Sequence, residues 1–145
     1  MNPPQVLIER SVVQALCDPA SPHHRVAATA FLPLVQQFET NQLLLVAVSD
    51  HLIPPRRWYQ AGWRRGVLAP IDSLPVGNQH RRTARRMHSA GDFDTALTMV
   101  MCQRHKVQRM LTLDANFRRY PLDVELIGVE SADVAKAGDG DDARG

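Results

Sequence analysis

Apolar residues recur along the chain with two periods. Gln5 to Ile8 is a short apolar run that stops at Glu9-Arg10-Ser11. Beyond it Val12, Val13, Ala15 and Leu16 return at helical spacing, so the pattern predicts strand, turn and helix, with Ser11 a candidate N-cap. That helix should end before Pro19, because a residue ahead of proline is driven out of the α region. Ser21-Pro22 opens a second helix with Val26, Ala30, Phe31, Leu34, Val35 and Phe38 on one face, and Pro33 is expected to kink it. After Asn41-Gln42, Leu43 to Val48 reads as a strand feeding a helical segment from Asp50 to Ile53, stopped by Pro54-Pro55. Arg56 to Arg65 is a third helical stretch closed by Gly66, and Val67 to Ile71 is strand-like.

The second half repeats the alternation. Gln79 to Ser89 reads as a very basic helix. Phe93, Ala96, Leu97, Val100 and Met101 stand at i, i+3, i+4, i+7 and i+8, an amphipathic helix. Arg109 to Leu113 is a strand ending at Asp114, Asn116 to Tyr120 a short helix before Pro121, and Val124 to Val129 a last strand. Strands separated by helices imply an α/β layer fold with a mostly parallel sheet of four to five strands.

At 145 residues the chain holds one ordinary domain. Residues 1–130 read as that domain and 131–145 as a disordered acidic, Gly-rich tail without apolar periodicity. The longest apolar run, Leu43 to Val48, is far short of the roughly 20 residues of a membrane span. Met1-Asn2-Pro3-Pro4 puts no basic residue ahead of an apolar stretch, so a cytoplasmic protein is expected. Cys17 and Cys102 lack a CxxC partner, which points away from zinc and disulfides and towards buried small hydrophobes. None of the six histidines falls into a metal-binding or nucleophile-activating pattern.

The acids carry the candidate chemistry. In an open parallel sheet, ligands gather beyond the carboxyl ends of the strands. Glu9 ends the first strand, Asp114 ends the fourth, Asp92 and Asp94 open the Phe93 helix, and Asp50 lies inside an apolar segment. Each also has a structural reading: Glu9 as a turn residue, Asp114 as an N-cap, Asp92 and Asp94 as complements to a helix dipole. Asp50 buried without a partner would cost several kcal/mol, so it requires a cation or a place at the surface. Together on one rim, three or four carboxylates would need neutralising. An all-oxygen donor set selects a hard divalent ion, Mg²⁺ or Mn²⁺, which lowers the pKa of a bound water and makes it a nucleophile.

Val6-Leu7-Ile8-Glu9-Arg10-Ser11, Pro22-His23-His24, Asp50, Asp94-Thr95-Ala96-Leu97 and Leu111-Thr112-Leu113-Asp114-Ala115-Asn116-Phe117 together resemble the ordered motifs of PIN-domain ribonucleases. The nearest in style are the VapC toxins of type II toxin–antitoxin modules. The resemblance spans roughly residues 5 to 129, and its most specific piece is the Leu-Thr-x-Asp-x-x-Phe run. It implies a metal-dependent endoribonuclease that hydrolyses RNA phosphodiester bonds, paired with a small antitoxin and assembled as a homodimer. By position it makes Glu9, Asp50, Asp94 (or its neighbour Asp92) and Asp114 the catalytic acids. Glu9, Asp92, Asp94 and Asp114 are then the candidate metal ligands, with Ser11, Thr112 and Asn116 as supporting polar residues. Two departures stand out: the first acid is Glu9 followed by Arg10 where the family has Asp-x-Ser, and the second is Asp50 where it has glutamate. Arg10 could neutralise part of the acid cluster, which opens an alternative, a catalytically weakened PIN-like module that binds RNA or a protein.

Charge adds a candidate RNA surface. Without residues 131–145 the chain has 15 bases and 11 acids, a net charge of +4. Arg56, Arg57, Arg64, Arg65, Arg81, Arg82, Arg85 and Arg86 fall in a stretch whose only acid is Asp72, which points to an anionic partner. Arg81, Arg82, Arg85 and Arg86 fall on one side of a helix, where mutual repulsion favours a counter-charge such as RNA phosphate, an acidic antitoxin segment, or simply solvent. Trp58, Tyr59 and Trp63 among the first four arginines suit either base stacking or core and dimer contacts.

Overall fold

A computed structural model describes residues 3–52, 67–87 and 92–128. Five strands, β1 (Gln5–Ile8), β2 (Leu44–Val48), β3 (Ile71–Leu74), β4 (Arg109–Thr112) and β5 (Asp123–Leu126), form one sheet in the order β3-β2-β1-β4-β5. Every pairing is parallel. Among the described residues four α-helices flank it: α1 (Arg10–Cys17), α2 (His24–Glu39), α3 (Asn78–Met87) and α4 (Phe93–His105).

Strand alternation sorts the core into two layers. Val6 and Ile8 of β1 face α1 and α2 with Val12, Leu16, Ala27, Phe31 and Leu34. Leu7 faces the other way, into a cluster with Val46, Leu97, Met101, Met110 and Phe117. Both faces of β1 are therefore apolar, which is why the run Val6-Leu7-Ile8 lacks the alternation of a half-exposed strand. Each of the three is at most 2% exposed. Burial of this kind is worth roughly 1.5–3 kcal/mol per large aliphatic side chain.

Several local expectations are corrected. Glu9, not Ser11, is the N-cap residue of α1, and its side chain makes no cap bond there. The second helix begins at His24, after a turn at Ser21-Pro22, with Pro33 inside it. Val67-Leu68 is helical and the strand starts only at Ile71. The segment after β2 is a short 3-10 helix, Ser49–His51, and the short helix expected at Asn116 to Tyr120 is present as a 3-10 helix one residue earlier, Ala115–Arg119. The last strand ends at Leu126, three residues before Val129. α4 is not amphipathic at its centre: Ala96 to Cys102 are all buried, Thr98 included, its hydroxyl donating to the Asp94 carbonyl at 2.9 Å. That bond returns the Thr98 hydroxyl to its own helix, so a threonine sits in the core without an unmet polar group. Cys17 and Cys102 are buried as expected, and burial pushes the Cys102 thiol up to about 12.

The expectations for Pro54-Pro55, the Arg56 to Arg65 helix, its arginines and aromatics, and the 131–145 tail lie outside the described residues. Among the described residues, no helix is long and apolar enough to cross a membrane.

Candidate active site at the strand-order reversal

The chain moves outward from β1 to β2 and β3, then returns past β1 to lay down β4 and β5. The reversal leaves a crevice beyond the carboxyl ends of β1 and β4, the usual ligand position in such sheets. Glu9 follows β1 directly and Asp114 follows β4 after Leu113. Glu9 is 5% exposed and its backbone N–H donates to the Leu111 carbonyl at 3.0 Å, continuing the ladder one residue past the strand.

Two hydroxyls organise the crevice floor. Thr112 Oγ1 donates to Glu9 Oε1 at 2.6 Å, and Ser11 Oγ donates to the same oxygen. Each hydroxyl in turn accepts a backbone N–H from the turn after β4: Leu113 N–H reaches Ser11 Oγ at 3.1 Å, and Asp114 N–H reaches Thr112 Oγ1 at 2.9 Å. A hydroxyl can donate once and accept twice, so Ser11 and Thr112 couple the Glu9 carboxylate to the backbone that carries Asp114. Small hydroxyl residues at both places are what the local geometry requires.

Asp92 and Asp114 adopt the structural role left open by the sequence as well as a place at the rim. Asp92 N-caps α4, accepting Asp94 N–H at 2.9 Å, and Asp114 caps its 3-10 turn, accepting Asn116 N–H at 2.9 Å. Asn116 thus supports the site through its backbone.

Cations from neighbouring elements meet the remaining acids. Arg10 reaches Asp94 Oδ2 at 3.0 Å and Asp92 Oδ2 at 3.5 Å. Arg81 of α3 brings one guanidinium nitrogen to both oxygens of Asp50, at 3.2 and 3.3 Å, which gives the half-buried Asp50 the partner its apolar surroundings demand. His51, beside Asp50, is the site residue that sequence reasoning missed; its only signal was adjacency to an acid in an apolar run. Its Nε2 lies 3.5 Å from Asp94 Oδ1, at the outer limit of hydrogen-bond distance, and has no closer partner among the described residues. Burial holds the His51 pKa below its ordinary 6.5, against the opposing pull of Asp94.

The five candidate acids are therefore divided among different partners. Glu9 is bound by hydroxyls, Asp94 and Asp92 by Arg10, Asp50 by Arg81, and Asp114 by its own turn. Among the described residues, no three His, Cys, Asp or Glu side chains come together in a way that could hold a metal ion. This arrangement does not fit a shared Mg²⁺ or Mn²⁺.

The arginines of α3 are also divided. Arg81 is committed to Asp50, and Arg85 lies over the Phe93 ring at 6.0 Å from its centroid. Arg82 and Arg86 are exposed and line a cavity with residues of α4.

Neither a family model nor the sequence of a curated protein matches the chain. Solved structures do match in fold. VapBC2 from Rickettsia felis, bound to a DNA fragment from its promoter, aligns over 86% of this chain and 99% of its own, with a TM-score of 0.58 at 9% identity. VapC20 of Mycobacterium tuberculosis, a Sarcin-Ricin loop cleaving toxin, aligns over 79% of this chain and 93% of its own, with a TM-score of 0.54 at 12% identity. The chain has a VapC-like PIN fold.

Proposed function

We propose that the chain is an RNA-directed PIN protein of the toxin class, hydrolysing an RNA phosphodiester bond and held in check by a small antitoxin. The observation that carries this reading is the Glu9–Ser11–Thr112 network, which joins the loops after β1 and β4 at the strand-order reversal with Asp114 on its edge. An element whose only task was structural would not need a buried glutamate there, since burial of a carboxylate is costly unless fully hydrogen-bonded. The fold likeness to a Sarcin-Ricin loop cleaving toxin supports RNA as the substrate, and the likeness to VapBC2 supports an antitoxin partner. No step is assigned to Mg²⁺ or Mn²⁺, because the acids as arranged do not share a point.

A second reading has its own observation. Arg10 occupies the acids that open α4, which favours a PIN-like module that binds RNA and cleaves it slowly or not at all.

One assay separates them. Purified protein is incubated with structured RNA, with Mn²⁺ or with EDTA, beside Asp114→Asn and Arg10→Ala. The nuclease reading expects RNA cleavage by the wild type, lost in Asp114→Asn, and comparison of Mn²⁺ with EDTA tells whether that cleavage uses a divalent ion. Cleavage only after Arg10→Ala favours the second reading. Equal cleavage by wild type and Asp114→Asn, or none by any protein over varied RNAs, overturns nuclease function.

A further inference from the structure

The cavity between α3 and α4 differs from the acid crevice in having no carboxylate in its lining. It measures about 480 Å³, and Arg82 and Arg86 from α3 meet Arg104 from α4 along its wall, with His80, Gln103 and Val100 beside them. Among the described residues none of the three arginines is paired with a carboxylate, whereas Arg81 on the same helix is. Three unneutralised guanidinium groups around one cavity repel one another, so a multivalent anion there relieves a standing electrostatic cost. His80 adds a neutral donor: its Nδ1 accepts the Gly77 N–H at 2.9 Å, which leaves the proton on Nε2.

The geometry points to this cavity as a binding site for the phosphodiester backbone of single-stranded RNA, separate from the acid crevice; it rests on the proposed RNA-directed function and locates where that RNA is held. Guanidinium forks match phosphate oxygens two at a time. Gln103 and the His80 donor suit the ribose hydroxyls and base edges of an RNA strand. An acidic protein segment is the poorer match, since peptide docking draws on apolar anchors and Val100 is the only apolar residue lining the cavity. Asp94 and Arg104 lie on one helix, about 15 Å apart along its axis at ~1.5 Å per residue. RNA held at Arg104 is therefore bound at a distance from the acids, where it sets affinity and register rather than chemistry.

The test is binding of a fluorescently labelled single-stranded RNA to the full chain in EDTA, followed by anisotropy across a range of salt concentrations. Arg104→Ala, and the pair Arg82→Ala with Arg86→Ala, should each weaken binding several-fold. Loss of Arg104 should lower the salt slope by about 0.7, the value for one phosphate contact on a single strand. Arg104→Lys should recover part of the affinity but not all, because the charge returns without the fork. Thermal melting should not move, since these side chains are exposed. Wild-type affinity and slope in Arg104→Ala overturn the site while leaving the RNA reading standing. Displacement of RNA by polyglutamate at equal charge concentration overturns RNA as its occupant. No RNA binding by the wild type overturns both the site and the function proposed above.

Discussion

At the scale of single residues, the crevice depends on two small hydroxyl groups, Thr112 buried and Ser11 partly buried, each bonded in two directions. Thr112 is 0% exposed and serves the Glu9 carboxylate and the Asp114 backbone together. Thr112→Val keeps the shape and removes both bonds, so it should lower unfolding free energy in urea by about 1–3 kcal/mol, the usual cost of leaving buried polar groups unmet. Thr112→Ser should recover most of it. Had Ser11 and Thr112 been surface turn residues, neither change would register. His51 gives the second residue-scale prediction. Burial favours its neutral form, so the folded protein releases a proton that the unfolded chain still holds just below pH 6.5. Stability from this group is complete above pH 6.5 and declines as the pH falls into the window below it. Thermal melting points should therefore drop on acidification, and His51→Gln should flatten that part of the profile.

At the scale of elements, helix ends position the acids. Asp92 and Asp94 share the first turn of α4, where an N-cap carboxylate accepts an N–H that the helix leaves unpaired. The other end of α4 closes less comfortably. Lys106 adopts φ 57°, in the left-handed region, while its N–H bonds back to the last turn. That position favours glycine because a Cβ crowds the neighbouring carbonyl. Lys106→Gly should stabilise the protein by about 0.5–1 kcal/mol after the added flexibility of the unfolded chain is offset, measured by urea unfolding. Element types were legible in the sequence wherever the apolar period was unambiguous, as at Gln5–Ile8 and from Phe93 onward. They were misread at Val67 to Ile71, where a short apolar run suits either strand or helix. The same limit applies to α4. Its i, i+3, i+4 pattern announced a helix, yet seven consecutive buried positions show that it lies between the sheet and α3 with little open face.

At the scale of the whole molecule, the order β3-β2-β1-β4-β5 brings residues about a hundred positions apart into hydrogen-bond contact, Glu9 with Thr112 and Ser11 with Leu113. The same topology decides which acids meet cations. Asp50 and Arg81 are 31 residues apart and pair because β2 and β3 are neighbours, with Ser49 also accepting the Val76 N–H at 3.1 Å. Both groups are only half-buried, so the pair is worth less to stability than to direction. It takes Arg81 out of the basic surface that helical spacing assigned to it. Arg104 enters that surface from the last turn of α4.

What the sequence determined by itself is the local chemistry: alternating strands and helices from apolar period, a parallel sheet from their alternation, and acids and small hydroxyls at strand ends. These follow from interactions over a few residues, which the order of side chains encodes directly. Only the tertiary structure decided which charges face one another. It placed Arg10 on Asp94 and Asp92, gave Asp50 to Arg81, buried His51 beside Asp94, and set three arginines around a cavity without an acid. Charge pairing depends on distance in space, and in a doubly wound sheet distance in space bears little relation to distance along the chain.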